Sequence, residues 1–62
     1  MNNLAKVRKA KCLSQDDLAK KSGISRVTIA NIERGAVKDI KISTIRKLSK
    51  ALDESVENIF LQ

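Results

Sequence analysis

Four residues in one short stretch, Arg26, Val27, Thr28 and Asn31, are of types that read the edges of base pairs. An arginine can donate a forked pair to guanine, an asparagine can pair with adenine, and a small apolar side chain can touch a thymine methyl. That chemistry requires a shared face. Ile29 and Ile32 lie in the same run, "SRVTIANIERG", and must face a core. A helical step of about 100° then turns Val27, Ala30, Asn31 and Arg34 outward, sets Arg26 at the N-terminal tip, and leaves Thr28 intermediate. On an isolated helix these residues would be an ordinary solvated face. Groups suited to phosphate surround them. Gln15 opens a helix, where free N–H groups and the helix dipole favour an anion. Ser25 and Arg34 flank the reading face, and Lys38, Lys41, Ser43 and Thr44 form a second phosphate grip.

Composition agrees with a polyanionic partner. The 62 residues carry 13 Lys and Arg against 7 Asp and Glu, a formal charge of +6. Such an excess suits nucleic acid or an acidic membrane surface. The same balance narrows other classes. One cysteine, Cys12, cannot form an internal disulfide, and without histidine there is no Cys/His metal cluster. Cys12 reads as a buried or half-buried helix-end residue, and the acidic residues show no metal-ligand spacing. No enzyme, metal or cofactor is expected. The N-terminus lacks an apolar signal region and no run reaches membrane-spanning length, so the expected compartment is the cytoplasm. A single domain over 1–62 is expected, near the lower limit at which one core holds itself together.

The elements that position these residues follow from periodicity and caps. Leu4, Val7 and Arg8 share a face of a helix from roughly Asn3 to Lys11. Ser14 caps a second helix that ends at Ser22, with Asp17 placed for a capping box. Gly23 supplies a positive φ in the turn. Ser25 caps a third helix to about Arg34, and Gly35 stops it. Ala36 to Lys41 form a basic loop. Ile42, Ile45, Leu48 and Leu52 recur at helical spacing over Ile42–Leu52, and Ser55 caps a last turn carrying Val56, Ile59 and Phe60. Nothing alternates with period two, so the expected fold is all-α with five helices. Ala19 permits a close helix crossing, Gly23 sets the turn, and Ile24, Ile29 and Ile32 lock the third helix at a steep angle. This is a helix-turn-helix at helices two and three, the arrangement that inserts its second helix into the DNA major groove.

The runs "LSQDDLAKKSGISRVTIANIERG" and "TIRKLSKALDESVENIF" together resemble the phage repressor/Cro-type helix-turn-helix family, from about Leu4 to Phe60. The resemblance implies a five-helix, sequence-specific DNA-binding domain that acts on transcription, usually as a dimer. It also implies that Gln15 both meets phosphate and braces the recognition helix. Three positions depart from the family pattern: Ser22 where an apolar residue is usual, Cys12 where a helix-ending glycine is frequent, and Glu54 where an apolar residue is common.

The leading expectation is a repressor that binds an inverted-repeat operator in double-stranded DNA as a homodimer. An antitoxin that binds a toxin and its own promoter, or a protein-binding adaptor on the same fold, are the alternatives. The charge and the uncluttered outer face of helix three argue against the adaptor. Two further expectations concern structure. Arg8 and Glu33 both face the core and are tolerable there only as a pair, a partnership the resemblance also implies. Ile59, Phe60 and Leu61 are consecutive and cannot all face one core, so the tail is the expected dimer contact, with Leu61 or part of Phe60 left at the surface.

Overall fold

Three serines start three of the helices. Ser14 accepts the Asp17 N–H while the Asp17 carboxylate accepts the Ser14 N–H, closing a capping box. Ser25 and Ser55 accept the N–H groups of Thr28 and Asn58 in the same way. The computed structural model describes residues 2–61 and contains α1 (Leu4–Ala10), α2 (Gln15–Ser22), α3 (Arg26–Glu33), α4 (Ile42–Leu52) and α5 (Val56–Phe60). Among the described residues there is no strand. None of the helices exceeds 11 residues, a length at which isolated helices are marginal in water. Packing must therefore hold them. Leu4, Leu18, Ile29, Ile32, Leu48, Leu52 and Ile59 are at most 1% exposed, so every helix contributes to one shared core. α2 packs on both α3 and α4, and α5 closes the far side against α1 and α4.

Helix ends follow a common device. Gly23 and Gly35 take φ of 77° and 75° after α2 and α3. α1 ends the same way at Cys12, with φ of 59°, where the Leu13 N–H reaches the Arg8 carbonyl and the Cys12 N–H reaches that of Lys9. This is a Schellman ending with a non-glycine residue in the left-handed position. Asp53, φ 50°, does the same after α4. Cys12 is exposed, which corrects the expectation of a buried or half-buried residue: it occupies the left-handed position just beyond the end of α1. Left-handed conformation costs an L-residue roughly 1–2 kcal/mol, of which glycine's extra freedom in the unfolded chain takes back a part. Cys12→Gly should therefore stabilise the fold by about 0.5–1 kcal/mol, seen as a higher urea midpoint at unchanged slope. A lower midpoint would mean that the thiol makes contacts worth more than the strain.

Ile42, which shares the helical spacing of Ile45, Leu48 and Leu52, is 67% exposed. Its end of the core is filled instead by Val37 and Ile40, which the loop between α3 and α4 folds against the buried cluster; Ala51 joins the α4 face further along. Ile59, grouped with the dimer contacts, is fully enclosed within its own core and could meet a second copy only if that core opened. Phe60 is half-buried and Leu61 is 73% exposed.

Candidate nucleic-acid interface

The turn between α2 and α3 is short because its polar groups are satisfied locally. Gly23 donates its N–H to the Ala19 carbonyl (2.9 Å), and Ile24 donates to the Ser22 hydroxyl (3.1 Å). Ser22 thus earns its place in a position that otherwise suits an apolar residue. Ile24 and Ala19 pack against the core, with Leu18 and Ile29 beneath them.

The other end of α3 is anchored by a polar network. Arg8 donates from Nε to Glu33 Oε2 (2.6 Å) and from Nη2 to Glu33 Oε1 (3.1 Å), and its Nη1 reaches the Leu13 carbonyl (2.8 Å). Gln15 adds a bond from Nε2 to Glu33 Oε1 (3.0 Å). Side-chain exposure of the pair is 10% and 8%, so α1, α2 and α3 are tied by one fully partnered, bidentate ion pair. Asn2 donates to the Ile32 carbonyl (2.9 Å), covering a further acceptor at this end of α3. Burial alone would raise the Glu33 pKa, but the hydrogen bonds from Arg8 and Gln15 and the charge of Arg8 outweigh it, and the net shift is downward. A carboxylate depressed on folding contributes stability that is fully present above its unfolded value, here the ordinary 4.5, and that is lost as pH falls through the lower folded value. Stability should therefore fall with pH between 4.5 and that lower value, and Glu33→Gln should flatten this part of a denaturation series against pH. An unchanged profile would assign the acid limb to other carboxylates, of which Asp17 is also lowered, through its bonds with Ser14.

With both ends of α3 held, its outer face is displayed. Arg26 and Arg34 are exposed, Val27 is 67% exposed, and Thr28, Ala30 and Asn31 are half-buried. The side chains are not independent. Arg26 Nε lies 3.3 Å from Asp16 Oδ1, and Arg34 Nη2 donates to Asn31 Oδ1 (2.9 Å). The Ser25 hydroxyl is already engaged, accepting from the Thr28 N–H and donating to Thr28 Oγ1 (2.8 Å). Asp16 carries no signal of this contact in the sequence: it lies ten positions before Arg26, and no local spacing rule connects the two.

The loop and the start of α4 stand beside this face. Thr28, Lys41 and Thr44 line one cleft of about 250 Å³ together with Ile32, Val37, Ile40 and the acidic Asp39. Lys38 lies on an adjoining depression with Asn2 and Phe60 that shares Val37, Asp39 and Ile40 with this cleft. Ser43 is exposed in the first turn of α4. Unlike α2, α3 and α5, that helix begins with no side-chain cap. Its leading N–H groups, beside Lys41, therefore suit an anion. Among the described residues no His, Cys, Asp and Glu group could hold a metal ion, and no helix is long and apolar enough to cross a membrane.

The helix-turn-helix family profile matches residues 4–59. The chain is 40% identical over 60 residues to an uncharacterised helix-turn-helix-type transcriptional regulator of Methanocaldococcus jannaschii, covering 97% of this chain and 89% of the relative. Among solved structures it is similar to the restriction-modification controller protein C.AhdI from Aeromonas hydrophila, at 38% identity and a TM-score of 0.83, over 90% of this chain and 83% of that one.

Proposed function

Since the chain belongs to the helix-turn-helix family of DNA-binding transcriptional regulators, we propose that it is a repressor that binds an inverted-repeat operator as a homodimer. The observation that carries this reading is the outer face of α3. Arg26, Val27, Thr28 and Asn31 lie on a helix held at both ends, and Lys41, Thr44 and the uncapped start of α4 stand at its side. In the proposed complex the α3 side chains enter the major groove. Phosphates are held by Gln15, Ser25 and Arg34 around α3 and by Lys38, Lys41, Ser43 and Thr44 around the start of α4. Because the Ser25 hydroxyl serves as a cap, Ser25 contributes its backbone N–H.

One copy inserts one short helix and covers only a few base pairs, too few to single out an operator. A two-fold axis doubles the contacts and sets half-sites about 34–36 Å apart or a multiple of that. The exposed Leu61, with half-buried Phe60 beside it, is the surface proposed to meet the symmetry mate. Occupying an operator that overlaps a promoter excludes polymerase, which is how such a dimer represses in the cytoplasm.

Selection from random duplex DNA tests the reading: the expected product is an inverted repeat, bound by two chains in sedimentation. Enrichment of no sequence would refute sequence-specific binding. One chain per site at saturation, or unchanged cooperativity in folded Leu61→Lys, would refute the tail-mediated dimer. Lys41→Ala should weaken every duplex alike and lower the slope of log K against log salt by about 0.9 per lost phosphate contact. A loss confined to the operator would move Lys41 from grip to base reading.

A further inference from the structure

We propose that Asp16 is a specificity-determining residue, which orients Arg26 for a base and keeps it off the phosphate backbone; the inference rests on the DNA-binding reading above. Asp16 is in the first turn of α2 and Arg26 is the first residue of α3, so their contact spans the helix-turn-helix itself. Asp16 has no capping duty, because the neighbouring Asp17 closes the box with Ser14. Its carboxylate instead lies 3.3 Å from Arg26 Nε, with 69% of its side chain exposed and 62% of that of Arg26.

The atom that faces the carboxylate decides what Arg26 can do. With Nε facing Asp16, the Nη1 and Nη2 end of the guanidinium stays available. That end is a planar fork able to donate two parallel bonds to guanine O6 and N7. An arginine at a helix N-terminus would otherwise be free to swing to the nearest phosphate, which offers charge but no sequence information. A carboxylate at this spot acts on both alternatives. It restrains the base-reading orientation, and its charge repels the backbone that competes for the same guanidinium. In water an exposed pair of this kind biases orientation by only about two- to fivefold. A few-fold change in discrimination is therefore the scale to expect.

The test is Asp16→Asn in the full chain, measured on the selected operator, on a version with the Arg26-contacted base pair replaced, and on unrelated duplex. Expected are tighter binding to unrelated duplex and a fall of about two- to fivefold per half-site in discrimination at that one base pair, with other positions unaffected. In an Arg26→Gln background Asp16→Asn should leave discrimination at that pair unchanged. Folded Asp16→Asn with full discrimination, or with a fall spread evenly over the operator, overturns the assignment, as does an equal fall in the Arg26→Gln background. If the unaltered chain shows no base preference at all, both the DNA-binding reading and this inference fail; retained preference with an indifferent Asp16 removes this inference alone.

Discussion

Glu33→Ala is expected to destabilise the domain by about 3 kcal/mol or more, because it leaves the guanidinium of Arg8 enclosed without its carboxylate. A chain of 62 residues has a total stability of only about 3–9 kcal/mol at the usual value per residue. The variant should therefore lose about a third of that total at the upper end of the range and all of it at the lower end. Arg8→Ala should behave differently in one respect. The stranded Glu33 can take up a proton, whereas a guanidinium cannot lose one. Lowering the pH should thus restore part of the stability of Arg8→Ala, the reverse of the unaltered protein, and restore none to Glu33→Ala. Urea denaturation of both variants and the double variant gives the coupling directly. Coupling below about 0.5 kcal/mol would mean two independent charges, despite the bidentate geometry and near-complete enclosure.

Asn31→Ala carries the second large effect, on DNA rather than on folding. A bidentate amide contact discriminates its base by about 1–3 kcal/mol, and a two-fold complex contains it twice, so the operator should lose about 2–6 kcal/mol relative to unrelated duplex. Preference should relax at one base pair in each half-site and stay intact elsewhere. The bond from Arg34 to Asn31 Oδ1 adds detail. It occupies part of the carbonyl and restrains the amide, so Arg34→Ala should reduce the same preference by less than Asn31→Ala does. Binding to mutated operators, with thermal melting as the control for folding, checks this. Full base preference in a folded Asn31→Ala protein would remove Asn31 from the reading face.

How far these sites could be read in advance differs from residue to residue. Ser14, Ser25 and Ser55 announce helix starts because capping is local chemistry between neighbours three residues apart. Ile29 and Ile32 announce the inward face of α3, and so its outward face, because helical geometry repeats with a fixed angle. Ile42 obeys the same periodicity and yet is exposed, since periodicity says which residues align and not where the core ends. Val37 and Ile40, in a stretch with no period at all, close that end. Cys12 and Asp53 take left-handed conformations that glycine would normally signal; the Schellman bonds and the packing of Leu13 hold Cys12 there without it.

The chain by itself determined five helices, their starts, the glycine turn between α2 and α3, and the side of α3 that faces outward. Each depends on interactions between residues a few positions apart, which residue type and spacing encode directly. Tertiary structure alone decided the contacts between distant positions. Asp16 meets Arg26, Gln15 joins the Arg8–Glu33 pair, Asn2 reaches the end of α3, and Ile59 is withdrawn from the surface while Leu61 remains on it. Those outcomes follow from the angles at which short helices settle on a shared core, a property of all the side chains packed together that no local pattern contains.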